Sequence, residues 1–260
     1  CEEARRLGGK NVRRRAAYQL GDTIHIDLGP DTYAQMLQFG LRYDRLQHLL
    51  ITHSHADHLS AAELMYRHPG FAVLPEDAML TVHGNQHVRE KIWALAEPLK
   101  GTLEDCRARF ESVRLFQPVT LSEGVTATAI LADHAGEEVA VNWLLERDGR
   151  ALLQGNDTGW WPEESWQFLT GRPLHVVVLE CTYGPNKGHH HHLGAQEVLQ
   201  VRDHLDKLGA LAPGARVELA LAVPQLCAAP ALLASALRNL IDNAARYGRA
   251  GGRIRIESSR

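Results

Sequence analysis

The chain has 260 residues, 45% of them hydrophobic, and a formal net charge of −3. That is enough apolar material for a substantial core, as one large domain or as a domain with an extension, and the charge gives no global positive field to favour nucleic acid. No apolar run can span a bilayer, because the longest candidate, residues 219–237, is broken by Pro224, Gln225 and Pro230.

Residues 11–29 predict two short strands around the Gly21-Asp22 turn, the second one alternating as a half-buried strand does. A short helix over 31–40 with Asp31 or Thr32 as its cap follows, then a strand over 48–52. Residues 60–68 suit an amphipathic helix stopped by Pro69-Gly70; 79–83 read as a strand, 85–98 as a helix and 103–110 as a helix. Strands are expected at 112–117, 125–132, 139–146 and 150–155, with a turn from Gly155 to Gly159 and a helix over 162–169. The run over 174–180 is almost wholly apolar, which places it centrally and buried on both faces. A polar, histidine-rich loop covers 182–193, and a helix over 195–208 ends at Gly209. Strands and helices come in runs, which argues for layered sheets with helices outside.

Histidine is frequent, with 15 in the chain, and it clusters. Residues 51–59 place His53, His55, Asp57 and His58 directly after the apolar Leu49, Leu50 and Ile51. Imidazole and carboxylate are the ligands of zinc-like or manganese-like ions. In an extended turn His53 and His55 point the same way, and a helix starting near Asp57 lets Asp57 and His58 face a second ion. Three later points fit the same centre: His134 after the strand 125–132, Asp157 at the end of the strand 150–155, and the run His189, His190, His191 and His192. Singly, His134 reads as a loop residue, Asp157 as a turn former and the histidine run as an adventitious tract. Together with the 53–58 motif they read as one site. The widely spaced Cys1, Cys106, Cys181 and Cys227 form no C-x-x-C pair and fit reduced thiols in the cytoplasm. No secretory leader pattern is evident, and a first residue that is Cys and not Met suggests a start inside a longer reading frame.

The set Ile26-Asp27-Leu28-Gly29-Pro30-Asp31, Thr52-His53-Ser54-His55-Ala56-Asp57-His58-Leu59, Asp133-His134 and Gly155-Asn156-Asp157-Thr158-Gly159 resembles the metallo-β-lactamase superfamily. The stretch Leu179-Glu180-Cys181-Thr182-Tyr183-Gly184-Pro185-Asn186, with His192-Leu193-Gly194, is most similar to the branch of the phosphoribosyl cyclic phosphate phosphodiesterase. The opening Cys1-Glu2-Glu3-Ala4-Arg5-Arg6 resembles the end of that branch's zinc knuckle.

The resemblance covers roughly residues 1–212 and implies an α/β protein with a four-layer αββα sandwich, truncated at its N-terminus. It implies two divalent ions, Zn2+ or Mn2+: His53, His55 and His134 hold one, Asp57 and His58 hold the other, and Asp157 bridges. Asp27 then orients a ligand imidazole, or is a buried structural aspartate. His192 falls beside the substrate as acid or phosphate contact. Two ions about 4 Å apart can share a water and lower its pKa towards neutrality, which suits attack on a small-molecule phosphodiester, a cyclic phosphate included, with Asp57 and His192 as the catalytic pair. The alternatives are a thioester or lactam substrate, or an impaired metal-binding remnant. A homodimer is compatible with this reading.

Two features depart from the family pattern. The family's final histidine, which completes the second metal site, is missing: its place falls near Leu221, which cannot bind metal, so that a member of the His189–His192 run or water substitutes or the second ion binds weakly, and the later His204 lies in a helix, on its expected exposed face. Residues 213–260 form an atypical strand–helix–strand tail (216–223, 231–247, 253–257), in which Asn239 and Asn243 resemble the N box of sensor histidine kinases without the glycine-rich boxes. The three tryptophans after Asp157, Trp160, Trp161 and Trp166, can wall a pocket, but at least two are expected to pack into the core.

Overall fold

A computed structural model describes residues 2–9, 12–96 and 102–220. Helix α1 (Glu2–Leu7) precedes the first sheet, formed by β1 (Tyr18–Leu20), β2 (Ile24–Ile26), β3 (His48–Leu50), β4 (Leu80–Gly84) and β5 (Ala108–Ser112), side by side in that order. Strands β1 and β2 are antiparallel and the remaining pairs parallel. Between them lie α2 (Thr32–Phe39), α3 (Ala61–Met65) and α4 (Gln86–Ala96). The second sheet contains β6 (Pro118–Thr120), β7 (Thr126–Leu131), β8 (Val141–Arg147), β9 (Arg150–Gly155), β10 (Leu174–Glu180) and β11 (Leu211–Ala220), in the order β11-β10-β9-β8-β7-β6, with α5 (Glu163–Leu169) and α6 (Ala195–Lys207) between its parallel strands. Among the described residues, no helix is long and apolar enough to cross a membrane.

Strand alternation makes the four layers, because neighbouring side chains face opposite sides of a sheet. In and just after β3, Leu49 and Ile51 pack with Leu64 and Ile92 of α3 and α4, while Leu50 turns inward. Facing it from the second sheet are Ala127 and Ala129 of β7 and Val141, Trp143 and Leu145 of β8. The other faces of those strands, Ile130 and Leu144, join Leu153, Val177 and Leu179 against Trp166, Val198 and Val201 of α5 and α6. Three buried clusters therefore separate four layers, as the resemblance implied. Strand β10 runs between β9 and β11, parallel to both, as its apolar run predicts.

The structure corrects several expectations. Residues 103–110 are not a helix: Thr102 and Asp105 bond each other as a helix start does, but Arg107 takes a left-handed φ of 49° and the chain enters β5. Pairing with the free edge of β4 outweighs the local preference. The strand expected at 112–117 is a crossing between the two sheets. Its residue Val113 donates to Gly84 O of the first sheet (3.0 Å), and Phe116 donates to Ala129 O of the second (2.8 Å). The helix over 60–68 shortens to α3, and the strand expected at 216–223 begins earlier, as β11. Asp31 does not cap α2 through its side chain; its carboxylate accepts the Arg15 N–H at 2.9 Å. His204 is half-buried, its ring 4.6 Å from that of Trp166 and 5.2 Å from that of Trp160. Trp161 and Trp166 are core residues and Trp160 is exposed. Cys1, Leu221, Asn239, Asn243 and the rest of the expected tail helix and strand lie outside the described residues.

Burial holds two histidines of the first sheet neutral. It pushes the pKa of His25 down to about 4, and that of His83 to about 4 with help from His48 and Arg109. An unfolded chain takes up these protons near pH 6.5, so the unfolded state binds more protons between pH 6.5 and 4 and stability falls as the pH drops through that window. For His25 the loss is on the order of 2–3 kcal/mol. Urea unfolding at pH 7 and pH 4.5 measures it, and His25→Gln flattens the slope.

Candidate metal centre

The centre is built at strand ends on one edge of the sandwich. The backbone beyond β3 is tied to both sheets, with Ile51 N–H donating to His83 O at 2.9 Å and Val141 N–H to Thr52 O at 3.0 Å. Asp27, just past β2, has a left-handed φ of 62° and a carboxylate fully buried at 0% exposure. Its Oδ1 accepts the Thr52 N–H and the Thr52 hydroxyl, each at 2.9 Å, and its Oδ2 lies 2.7 Å from His58 Nδ1. With Nδ1 committed to Asp27, His58 presents Nε2 to the centre, 2.9 Å from Asp157 Oδ2 and 3.6 Å from Asp57 Oδ2. Glycine is required at position 29, because a Cβ there would stand 2.2 Å from Asp57 O.

Asp157 also has a left-handed backbone, with φ 47°, and its turn is held from both sides. Asn156 Oδ1 accepts the Tyr18 hydroxyl at 2.5 Å, and Asn156 O accepts from Asn142 at 2.7 Å, whose own Oδ1 accepts the Trp161 indole N–H at 2.7 Å. On the far side Thr158 N–H donates to Glu180 Oε1 at 3.0 Å. Backbone strain of this kind persists only where surrounding contacts over-determine it. Asp157 Oδ2 consequently faces three imidazoles, at 2.9 Å from His58 Nε2, 3.8 Å from His134 Nε2 and 3.9 Å from His53 Nε2.

His134 Nε2 lies 3.2 Å from His55 Nδ1. Ligands 2.0–2.1 Å from a tetrahedral ion stand about 3.3 Å apart, so this spacing suits one shared ion. Three overlapping sets have ligand atoms within 4.8 Å of one another: His53, His55 and His134; His53, His58 and Asp157; and His134, Asp157 and His192. His53 Nε2 is buried with no hydrogen-bond partner, an arrangement that is costly for a polar atom unless a cation takes its lone pair. The residues therefore fit divalent metal ions, which the fold also implies.

Protonation follows surroundings. Burial, then the neighbouring His58, pushes His53 down to about 2, and burial lowers His134, so both are neutral imidazoles, the form that binds a metal. Burial also works against charge on His58, but Asp27 and Asp157 on its two sides outweigh it and hold its pKa well above the usual value. Burial alone would raise the Asp157 carboxyl; the His58 hydrogen bond and charge, then His53 and His134, hold it well below the carboxylate range.

Of the sequence-predicted residues, His53, His55, His58, His134, Asp157 and His192 converge, and Asp27 stands behind His58. Asp57 is exposed; it approaches His58 but joins none of the three sets. The histidine run divides sharply. His190 and His191 have left-handed φ values of 48° and 61°, which turns the chain. His189 and His190 stack on each other in solvent, His191 pairs with Asp133, and His192 alone turns inward. Its Nδ1 lies 2.6 Å from Glu180 Oε1. Sequence reasoning gave Glu180 no role, although a lone charge closing the apolar run of β10 is a visible signal. Tyr18, Asn142 and Asn156 carry no comparable signal.

A chain with this sandwich and this imidazole–carboxylate centre is of the metallo-β-lactamase type. It belongs to the β-lactamase superfamily, whose domain matches residues 22–212. Among solved structures it is similar to a diphosphatase from the PhnP family (TM-score 0.57, 17% identity, covering 78% of this chain and 79% of that one). It is also similar to the metallo-β-lactamase fold protein YhfI from Bacillus subtilis (0.58, 13%, 82% and 91%). Zn2+-bound PqqB from Methylobacterium extorquens is a third (0.59, 14%, 91% and 86%). At these identities the likeness concerns the fold. No curated protein sequence matches the chain.

Asp27→Asn leaves the cavity shape unchanged but presents an amide where His58 needs an acceptor. Loss of such an outer partner is expected to weaken zinc affinity about 10- to 100-fold, measured by competition with a chromogenic chelator.

Proposed function

We propose that the chain is a metal-dependent hydrolase of phosphodiesters, a cyclic phosphate among the candidate substrates, working through two divalent ions of the Zn2+ or Mn2+ kind. The observation that carries this reading is the convergence of His53, His55, His58, His134, Asp157 and His192 in three overlapping sets of ligand atoms. The superfamily consists mainly of hydrolases, and the similar fold of a PhnP-family diphosphatase is in keeping with phosphorus chemistry.

His53, His55 and His134 would hold one ion and His58 with Asp57 the other, with Asp157 as a ligand that both sets could share. Bound there, such ions supply a water acidified to act near neutral pH and positive charge for the oxygens of a phosphoryl group. The chain's own residues do the rest. Asp27 keeps His58 Nε2 aimed inward. His192 is the proton donor: its hydrogen bond to Glu180 raises its pKa, an effect only partly offset by burial, which favours the protonated ring. Glu180 keeps that proton available, because its Oε1 also takes the Thr158 N–H and its Oε2 the Thr182 N–H, and these bonds hold the carboxylate in place. The proton passes from the His192 imidazolium to the departing alkoxide.

Elemental analysis of purified protein should find close to two ions per chain, and hydrolysis of bis(p-nitrophenyl) phosphate should be lost in His55→Ala. A protein that takes up no ion, or one that cleaves thioesters or lactams but no phosphodiester in a substrate panel, overturns the assignment.

Leaving-group dependence tests His192 separately. p-Nitrophenolate departs without a proton and an alkoxide does not. His192→Ala should therefore slow an alkyl phosphodiester by about 10²- to 10⁴-fold and spare the p-nitrophenyl substrate by comparison. With the alkyl substrate, wild-type kcat should fall as the pH rises through the raised His192 pKa. Glu180→Gln should move that alkaline limb to lower pH.

A further inference from the structure

Ser54 stands between two candidate ligands, His53 and His55. Its side chain and N–H point away from them, into the carboxylate of Glu138. Ser54 N–H lies 3.0 Å from Glu138 Oε1 and 3.1 Å from Oε2, and the Ser54 hydroxyl donates to Oε1 at 2.8 Å. Glu138 sits four positions after His134, in the loop that returns to β8, and that loop is braced by Glu138 N–H to Ala135 O at 2.8 Å and Ala132 N–H to Ala140 O at 3.0 Å. The same carboxylate accepts Asn85 Nδ2 at 2.7 Å; Asn85 also reaches Val139 O at 2.9 Å and caps α4 through Val88 N–H at 2.9 Å. One turn further along α4, Lys91 Nζ donates to Ser54 O at 2.5 Å.

This clasp matters most for His55. Its ring is exposed, and its ring contacts are with other candidate ligands, His53 and His134. No core packing holds it. Its backbone O accepts the His58 N–H at 3.1 Å and the Leu59 N–H at 2.8 Å, and the backbone on its other side, at Ser54, is gripped by Glu138 and Lys91.

We infer that Glu138 is a positioning residue of the metal centre. By joining the 53–55 segment to the loop that follows His134, it sets the distance between the two imidazoles that share an ion. The inference rests on the metal-centre reading above. Glu138 touches none of the candidate ligand side chains, so its effect would pass through the backbone of Ser54.

The test compares wild type, Glu138→Ala, Glu138→Gln and Ser54→Ala by three readouts: zinc affinity by chelator competition, the visible absorption of the Co2+-loaded protein, and the Tm of the metal-free protein. Glu138→Ala should bind zinc about 10- to 100-fold more weakly and give an altered Co2+ spectrum, with a metal-free Tm close to wild type. Glu138→Gln keeps an oxygen for the Ser54 N–H and should recover part of the affinity and the wild-type band shape. Should Glu138→Ala fail to fold, Ser54→Ala and Glu138→Gln carry the same comparison. Wild-type zinc affinity and Co2+ spectrum in the variants overturn the inference. A lowered metal-free Tm with unchanged zinc affinity overturns it too, since that makes Glu138 merely structural. Failure of the wild type itself to bind either ion removes the metal centre and this inference with it, whereas a metal-binding wild type that hydrolyses nothing leaves the inference standing.

Discussion

The carboxylate of Asp27 is the contact on which the rest of the centre depends. It is fully buried, and an unpaired charge in such a place costs several kcal/mol. Three donors answer it: the Thr52 N–H, the Thr52 hydroxyl and His58 Nδ1. They come from Thr52, just past the end of the neighbouring strand β3, and from His58 in the loop between β3 and α3. Satisfying one buried charge therefore fixes where β2 stops, where the 53–58 segment starts and which way His58 faces. The left-handed backbone at Asp27 is the local strain that this arrangement tolerates, and the close passage under Asp57 is open only to a glycine at position 29.

The same device recurs on the second sheet. Glu180, at the end of β10, is also almost fully buried and also meets an imidazole Nδ1, that of His192. Its remaining lone pairs are taken by backbone N–H groups of Thr158 and Thr182. Each sheet thus contributes one carboxylate–imidazole pair, and both pairs turn a ring towards Asp157. Their surroundings differ in what lies beyond Nε2. His58 faces the Asp157 carboxylate directly, whereas His192 is partly open and its pKa is raised chiefly by Glu180. One fold thereby holds the His53 and His134 imidazoles below their usual pKa and the His192 imidazole above it.

Precision in this arrangement comes from connections that cross between the sheets. Val141 N–H to Thr52 O joins β8 to the 53–58 segment, and the Tyr18 hydroxyl to Asn156 joins the first strand to the Asp157 turn. Each is a single hydrogen bond worth about 1 kcal/mol. Leu50, Trp143 and Leu145 bring the two sheets together by apolar burial, and the polar contacts then select one register of the facing loops.

By itself the sequence determined the strands whose alternation or apolar run is long enough to read, such as 150–155 and 174–180, and it marked the strand end that carries candidate ligands because His53, His55, Asp57 and His58 are crowded into six positions. It also carried the pairing of sheets with outer helices. Tertiary structure decided what local pattern could not. The open edge of β4 drew 108–112 into a strand, the need to cross between sheets dissolved the expected strand at 112–117, and left-handed turns at His190 and His191 left only His192 facing the centre. Glu138 and Glu180 meet their hydrogen-bond partners Ser54 and His192 across 84 and 12 positions of sequence. The physical reason is common to all of these: a ligand type is a property of one residue, but the partner that aims it is chosen by packing between distant strands.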